Sequence, residues 1–325
     1  MSELVSPQEI TSAFYPEGIE QETVLAGGIV NTTLLVTDAA KQRSILQRLS
    51  PIFDESMAED FDAVSEHLLT EGWEVARAVK STSGRSYISD LNGGLWRSFT
   101  FIESDGNLPA VGFESSVALS GLLGALHNSL SRLDYTPRFS LPHFHETAYY
   151  ADKLESLLPK ISNADAQNLA MQAIIITRKQ AIPQEPAQLI HGDPKMTNAL
   201  YRDGVPFTFI DFDTLMKGNP LVDVGDMLRS VTGKMVVKNP NFSPSDIEPV
   251  IEAYYEQAKP NVDEERFVQQ ALNAGQVIAL ELGIRYLIDS VEDSYFDWDR
   301  EQFDSRRSHN IVRAEAQWQT YEALG

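Results

Sequence analysis

Cysteine is absent from all 325 residues, which removes disulfides, thiolate-bound zinc and thiol catalysis from the functions open to the chain. Basic residues are scarce. The 26 Lys and Arg stand against 47 Asp and Glu, a formal charge of −21. Such a field repels phosphate backbones and anionic lipid surfaces, so neither nucleic acid nor a membrane is an expected partner. Acidity of this degree serves solubility in many soluble proteins; a site for a cationic substrate is its sharper reading. Also missing is any run of about 18 apolar residues, the length a membrane-spanning helix needs. The opening MSELVSPQEITSAFY lacks the basic and apolar regions of a secretory signal, and the expected location is cytoplasmic. No internal repeat or low-complexity tract is visible.

What is present suits a globular chain with a sizeable core: 42% hydrophobic and 22% charged residues. A length of 325 residues exceeds the size at which one core usually keeps growing, so two lobes are expected.

The most informative stretch is Leu189 to Arg229, LIHGDPKMTNALYRDGVPFTFIDFDTLMKGNPLVDVGDMLR. One apolar run delivers His191, Gly192 and Asp193, and Asn198 follows five residues after Asp193. A second apolar run, Phe207 to Ile210, delivers Asp211 and Asp213. Phosphoryl transfer needs these residue types: a carboxylate to accept a hydroxyl proton, and an amide oxygen with a second carboxylate to hold Mg²⁺ against a triphosphate. Two strands joined by a turn at Asp203 and Gly204 place Asp193, Asn198 and Asp211 at one end of a small hairpin.

Earlier in the chain, Ser6, Pro7, Gln8 and Glu9 mark a helix start. Thr23 to Thr37 reads as a hairpin whose Gly27 and Gly28 let backbone amides approach an anion, or as a plain tight turn. A third strand, Arg43 to Leu49, offers Gln47 and Arg48 where kinase-like lobes carry a phosphate-pairing lysine. Alternation along a strand lets only one of the two face a nucleotide. Met57 to Glu71 has helical spacing and stops at Gly72; Asp62 or Glu66 on it could pair with that strand residue. Strands Arg85 to Asp90 and Leu95 to Ile102 flank Asn92, Gly93 and Gly94, a hairpin signal. Glu103 to Pro109 is a polar connector, so the expected domains are 1–104 and 105–325.

The second domain reads as mainly helical. Gly112 to Leu133 is a helix whose Gly121 and Gly124 allow another helix to approach. Further helices are expected over Ala151 to Leu158 and Ala164 to Lys179. His143 and His145 have metal-compatible spacing, but without a supporting cluster they suit capping or buried hydrogen bonds. The long helix Phe267 to Val291 carries Glu281, Arg285 and Asp289 on one face, either as a solvent-side ladder or as the wall of a polar pocket. Tyr295, Phe296, Trp298 and Asp299 follow, an aromatic and polar segment suited to a sugar or a cationic ring.

HGD, Asn198, the strand ending in IDFD, and DVGD together resemble the motif of the aminoglycoside phosphotransferase and choline kinase superfamily. That resemblance implies an α+β, protein-kinase-like bilobal fold: a small antiparallel β N-lobe with one helix, and a larger, mainly helical C-lobe. It implies ATP and Mg²⁺, with Asp193 as catalytic base and Asn198 and Asp211 as metal ligands. Gly27, Gly28, Asn31 and Thr32 would form the nucleotide loop, with Gln47 or Arg48 beside it, and Phe101 to Ser104, Glu103 included, the adenine hinge. Within the superfamily, GGIVNTTLLV, SILQRLSPIF, WRSFTFIE, PHFHET and ELGIRYLIDSVEDSYF are similar to the N-acetylhexosamine 1-kinases. There the residues matching Arg285 and Tyr295 lie at the sugar, with Glu281 and Asp289 on the same helix face.

The expected activity is therefore phosphorylation of a small-molecule acceptor, a sugar at its anomeric hydroxyl. Three alternatives stand beside it. One is a kinase for a cationic acceptor, suggested by Asp223, Asp226, Asp289, Asp293, Asp297 and Asp299. Another is a kinase for a different neutral acceptor, such as another sugar or a methylthiopentose. The last is a catalytically inactive nucleotide-binding protein, suggested by the absent strand lysine.

Overall fold

The structure, a computed structural model, describes residues 6–25, 31–106, 112–239 and 241–325. Its class is α+β, and it divides into two compact units. The first comprises Met1–Ser104, Leu133–Leu141 and Phe212–Leu215; the second comprises Asp105–Arg132, Pro142–Asp211 and Met216–Gly325.

In the first unit, α1 (Gln8–Phe14) precedes a five-stranded antiparallel sheet of β1 (Ile19–Val24), β2 (Thr32–Asp38), β3 (Arg43–Arg48), β4 (Tyr87–Ser89) and β5 (Leu95–Thr100), in the order β1-β2-β3-β5-β4. Side chains alternate across the strands. Leu34, Leu46 and Trp96 pack with Ile10 and Phe14 of α1 in one core. The intervening positions form a row across three strands, Thr33 opposite Gln47 and Gln47 opposite Arg97. The turn into β5 is closed by Asp90, whose carboxylate accepts the N–H groups of Asn92 and Gly94 and the indole N–H of Trp96.

Helix α2 (Ser56–Thr70) completes the unit. Its acids do not pair with β3 as expected. Asp62 binds Lys80 and Ser86, and Glu66 is exposed. The acid that reaches the interior is Asp60, which accepts the Tyr135 hydroxyl at 2.6 Å and the backbone N–H of Phe139 at 2.8 Å.

The second unit holds two small antiparallel pairs, β6 (Gln188–Ile190) with β9 (Met216–Gly218), and the hairpin β7 (Ala199–Arg202) with β8 (Val205–Phe209). Around them lie α3 (Phe113–Leu130), α4 (Thr147–Leu157), α5 (Ala164–Thr177), α6 (Leu221–Lys238), α7 (Glu248–Ala258), α8 (Glu264–Glu292) and α9 (Arg306–Ala323). Helix α8 is the central post. Leu280, Ile284 and Leu287 are packed against Leu154 of α4 and Ala170 and Ala173 of α5, and each such aliphatic side chain contributes about 1.5–3 kcal/mol on burial. Asp263 caps its first turn by accepting the Arg266 N–H.

Two glycines set how closely helices approach. A Cβ at Gly124 of α3 would lie 2.7 Å from the Tyr254 carbonyl oxygen, whereas one at Gly121 would meet nothing nearer than 3.7 Å. On α6, a Cβ at Gly225 would lie 2.6 Å from the Ala274 carbonyl oxygen of α8. No helix among the described residues is long and apolar enough to cross a membrane.

Candidate active site

Strand β6 buries Leu189 and Ile190 and releases the chain into His191, Gly192 and Asp193, with Gly192 at φ 87°. That positive φ is open to glycine at little cost. The loop is then fixed from several sides. Asp223, in the first turn of α6 and fully buried, accepts the backbone N–H of His191 at 2.8 Å and of Gly192 at 2.9 Å. His127 of α3 contacts the same carboxylate through Nε2 at 2.9 Å, and its Nδ1 meets the Tyr254 hydroxyl at 2.7 Å. His191 itself is buried, and burial pushes its pKa down, which keeps the ring neutral. Its Nδ1 accepts the Asp193 N–H at 3.3 Å, and Nε2–H donates to the Ile210 carbonyl at 3.0 Å.

Among the described residues the Asp193 carboxylate meets two donors, both at Oδ2: the Lys195 ammonium, and Asn198 Nδ2 at 3.1 Å. Asn198 Nδ2 also donates to the Asp193 carbonyl at 2.8 Å. The β7–β8 hairpin brings the other acid to this end. Ala199 pairs with Phe209, and the Ile210 N–H donates to the Asn198 carbonyl at 2.8 Å. Asp211 follows, at φ 66°, a conformation that Asp adopts more readily than most residues. With its nitrogen committed to Asp193, the Asn198 side chain has Oδ1 as its remaining donor atom. An amide oxygen plus one or two carboxylates is the hard-oxygen set that suits a small divalent cation sharing phosphate ligands. Among the described residues no group of three or more His, Cys, Asp or Glu forms a protein-only metal cage.

Around this loop, charges of opposite sign are interleaved. Burial lowers the pKa of His145, but Glu281 at 3.2 Å and the Gly192 carbonyl at 2.7 Å outweigh it and raise the value to about 9. His145 is thus hydrogen-bonded through both ring nitrogens, and His143 stacks on Tyr149 and binds Glu146. Burial works against ionisation of Asp226, but Arg229, His145 and Lys195 hold its carboxyl below the usual range. Burial likewise opposes a charged Lys195, and the Asp193 carboxylate reverses that effect.

The acids expected near the acceptor have other partners. Glu281 is buried, accepting from His145 and from the Thr147 hydroxyl at 2.5 Å. Asp289 accepts the backbone N–H groups of Ser294, Tyr295 and Phe296 and the amide of Asn310. Burial opposes its ionisation, and these bonds keep its pKa low. Asp223 and Asp226 are engaged as described, Asp293 pairs with Arg306, Asp297 lies 3.6 Å from Arg300, and Asp299 binds Gln302.

Arg285 does not join a ladder with Glu281 and Asp289. Its half-buried guanidinium stands between the rings of Phe144, Tyr150, Tyr295 and Phe296, 5.4 to 5.8 Å from their centroids. No hydrogen bond or ion pair reaches it from the described residues. Asp289 fixes the turn that presents Tyr295, which is 47% exposed.

In the sheet unit, Gly27 and Gly28 lie outside the described residues. Asn31 donates to Asp213 at 3.1 Å and accepts the Ser50 N–H at 2.9 Å; Thr32 opens β2 opposite Arg48. Of the two β3 candidates, Gln47 shares its sheet face with Thr33 and Arg97, while Arg48 lies on the other face, 3.7 Å from Asp90. The Phe101 N–H donates to the Arg43 carbonyl, and Glu103 pairs with Arg43 at 2.8 Å. Two residues escaped the sequence reading. Lys195 stands two positions after Asp193, a cation signal in plain view. Arg97 is the one charged residue of its strand, LWRSFT, and it forms an ion pair with Asp213 at 2.6 Å.

Solved structures share this fold. An aminoglycoside phosphotransferase from Alicyclobacillus acidocaldarius subsp. acidocaldarius DSM 446 superposes with a TM-score of 0.65 at 16% identity, covering 100% of this chain and 96% of that one. The amicoumacin kinase hAmiN, solved with AMP-PNP, Ca²⁺ and Ami, gives 0.66 at 16% identity, with 97% and 92% covered. A microcompartment-associated aminopropanol kinase gives 0.68 at 17%, with 95% and 93% covered. At these identities the likeness establishes the kinase-like fold and nothing about the acceptor. The sequence pattern of the phosphotransferase enzyme family, APH, matches residues 22–263. That match spans well over half of the length and contains the HGD loop, the hairpin and Asp223, so the chain belongs to the phosphotransferase enzyme family.

Proposed function

We propose that this phosphotransferase is an ATP- and Mg²⁺-dependent kinase acting on a sugar hydroxyl, the anomeric hydroxyl of an N-acetylhexosamine or a related sugar. The observation that carries the choice of acceptor is Arg285. A guanidinium held among four aromatic rings and, among the described residues, in no ion pair repels a cationic acceptor. It offers N–H donors to hydroxyl or acetyl oxygens while a sugar ring lies on an aromatic face. Of the six acids that would attract a cation, Asp226 and Asp293 face arginines of their own and Asp297 lies 3.6 Å from one, which supports the same reading.

The chemistry follows from the HGD loop. Lys195 and Asn198 both hold Oδ2 of Asp193, so Oδ1 is the oxygen that accepts the acceptor's hydroxyl proton. As the O–H bond breaks, the sugar oxygen forms a bond to the γ-phosphorus, the bridging P–O bond of ATP breaks, and ADP leaves. The transfer is direct and in line, and no covalent enzyme intermediate is needed. Asn198 and Asp211 would hold Mg²⁺, which supplies neutralisation of charge on the phosphates. The Lys195 ammonium keeps the base oriented and adds positive charge beside the reacting oxygen. The nucleotide is assigned to Gly27, Gly28, Asn31 and Thr32, to the Gln47 face of β3 rather than Arg48, and to a hinge at Phe101 and Glu103. Glu281 and Asp289 act as positioning residues behind His145 and Tyr295.

The test is ATP consumption over a panel of N-acetylhexosamines, simple hexoses, choline and aminoglycosides, with phosphorus NMR of the product. An anomeric phosphate couples to H1, and other positions lack that coupling. Turnover confined to cationic acceptors would replace the sugar reading. ATP binding with no Mg²⁺-dependent consumption for any acceptor would make the chain a nucleotide-binding protein.

A further inference from the structure

Kinase-like lobes place a lysine on the third strand, and Gln47 stands there here. The sheet has a cation one strand further on. Arg97 is directly opposite Gln47 in the β3–β5 register and only 2% exposed. Its Nε and Nη2 donate to Gln47 Oε1 at 3.0 and 2.8 Å, and Nη2 donates to both Asp213 oxygens at 2.6 and 2.7 Å. The guanidinium lies over the Phe99 ring, 4.6 Å from its centroid. Every part of the group is therefore committed except Nη1, which is buried and has no hydrogen-bond partner among the described residues.

Leaving such a donor without an acceptor is unfavourable, and more so for a charged group. No described residue supplies that acceptor, and the atom is shielded from solvent. Two further observations indicate what does. Asn31, the first described residue after the glycine segment, donates to the same Asp213 carboxylate at 3.1 Å. Elsewhere in the unit, the side chains of Arg43, Arg48, Lys80 and Arg138 are exposed beside their carboxylates, so Arg97 differs from them in being buried.

We propose that Arg97 is the residue through which the sheet unit binds nucleotide phosphate, Nη1 donating to a phosphate oxygen, with Gln47 and Asp213 as the positioning residues that fix its plane. The inference rests on the kinase reading above. It also explains Gln47. A lysine at that position would set two cations within hydrogen-bond distance, whereas the glutamine carbonyl accepts from the arginine, so Gln47 and Arg97 form one exchangeable unit.

The experiment is calorimetric titration of the full-length protein with ATP, ADP and adenosine, comparing the unsubstituted chain, R97Q, and R97Q/Q47K. R97Q should lose ten- to a hundredfold in affinity for ATP and ADP with adenosine unchanged. R97Q/Q47K, which returns the cation to β3, should recover at least tenfold. A purely structural arginine would lower ATP and adenosine binding together, or neither, and either result overturns the proposal. If R97Q fails to fold because Asp213 is left unpaired, R97M/D213N removes both charges and is read by the same ATP-to-adenosine ratio. An unsubstituted protein that binds ATP no better than adenosine would instead refute the kinase reading.

Discussion

His145 donates through Nε2 to the carbonyl of Gly192 at 2.7 Å, one residue before the proposed base, while Nδ1 faces Glu281 at 3.2 Å. Two donated bonds require the imidazolium form. Burial lowers the pKa, Glu281 raises it, and the outcome is about 9. Because the folded value lies above the ordinary one, the stabilisation is fully present below about pH 6.5 and is lost as pH rises through about 9. Glu281 has its pKa lowered: burial opposes its ionisation and His145 overcomes that. Its share is therefore present above the ordinary carboxylate range and is lost only as pH falls through its lowered folded value. H145Q should be less stable near neutral pH by about 3 kcal/mol, and should lack the alkaline loss expected of the unsubstituted protein. Thermal melts across pH measure both, and parallel curves for the two proteins would refute the charged pair.

Removing the proposed base is the simplest test of the HGD loop. Asp193→Asn keeps the shape of the side chain but cannot take a proton. Turnover should fall by at least about 10²–10⁴-fold, with ATP affinity nearly intact. Turnover within a factor of a few of the unsubstituted enzyme would assign the base to another group.

Arg285→Gln removes the charge from the four-ring enclosure. If the acceptor binds there, its KM should rise by roughly tenfold or more, the loss of one charge-assisted hydrogen bond at about 1.5–3 kcal/mol, while the KM for ATP stays put. Equal changes in both would indicate damage to the fold.

The glycines of α3 give a prediction independent of activity. Gly124→Ala forces a Cβ to 2.7 Å from the Tyr254 carbonyl and should destabilise by about 1–3 kcal/mol, the range for overpacking. Gly121→Ala has 3.7 Å of clearance and gains helix propensity of up to about 1 kcal/mol. Chemical denaturation of the two variants should move the midpoint in opposite directions.

Local signals made much of this structure legible in advance, and long-range partners hid the remainder. Strands β2, β3 and β5 and helix α8 announce themselves through apolar residues, whereas β1, IEQETV, starts four residues before the expected hairpin and is mostly polar. By contrast α9 buries Asn310, Ala314 and Thr320, small or polar residues that draw no stripe, and it escapes. Asp193 and Asn198 are readable together because they touch across five positions. The role of Glu281 is not readable, since the histidine that occupies it lies 136 positions away. Arg97 is a similar case. Its partners are 50 and 116 positions distant, so a strand with one charge reads as half solvated when it is buried.

Pairing of His145 with Glu281, Lys195 with Asp193 and Arg229 with Asp226 sets a cation against each of these three acids around the HGD loop. The formal charge of −21 is therefore borne mostly by the exterior, where an approaching ATP polyanion meets it first. Added salt contracts the reach of that field to about 10 Å at 0.1 M while the enclosed pairs feel little of it. Nucleotide encounter should accordingly quicken with ionic strength while the rate of the chemical step hardly changes, so salt governs how often the reaction starts more than how it proceeds.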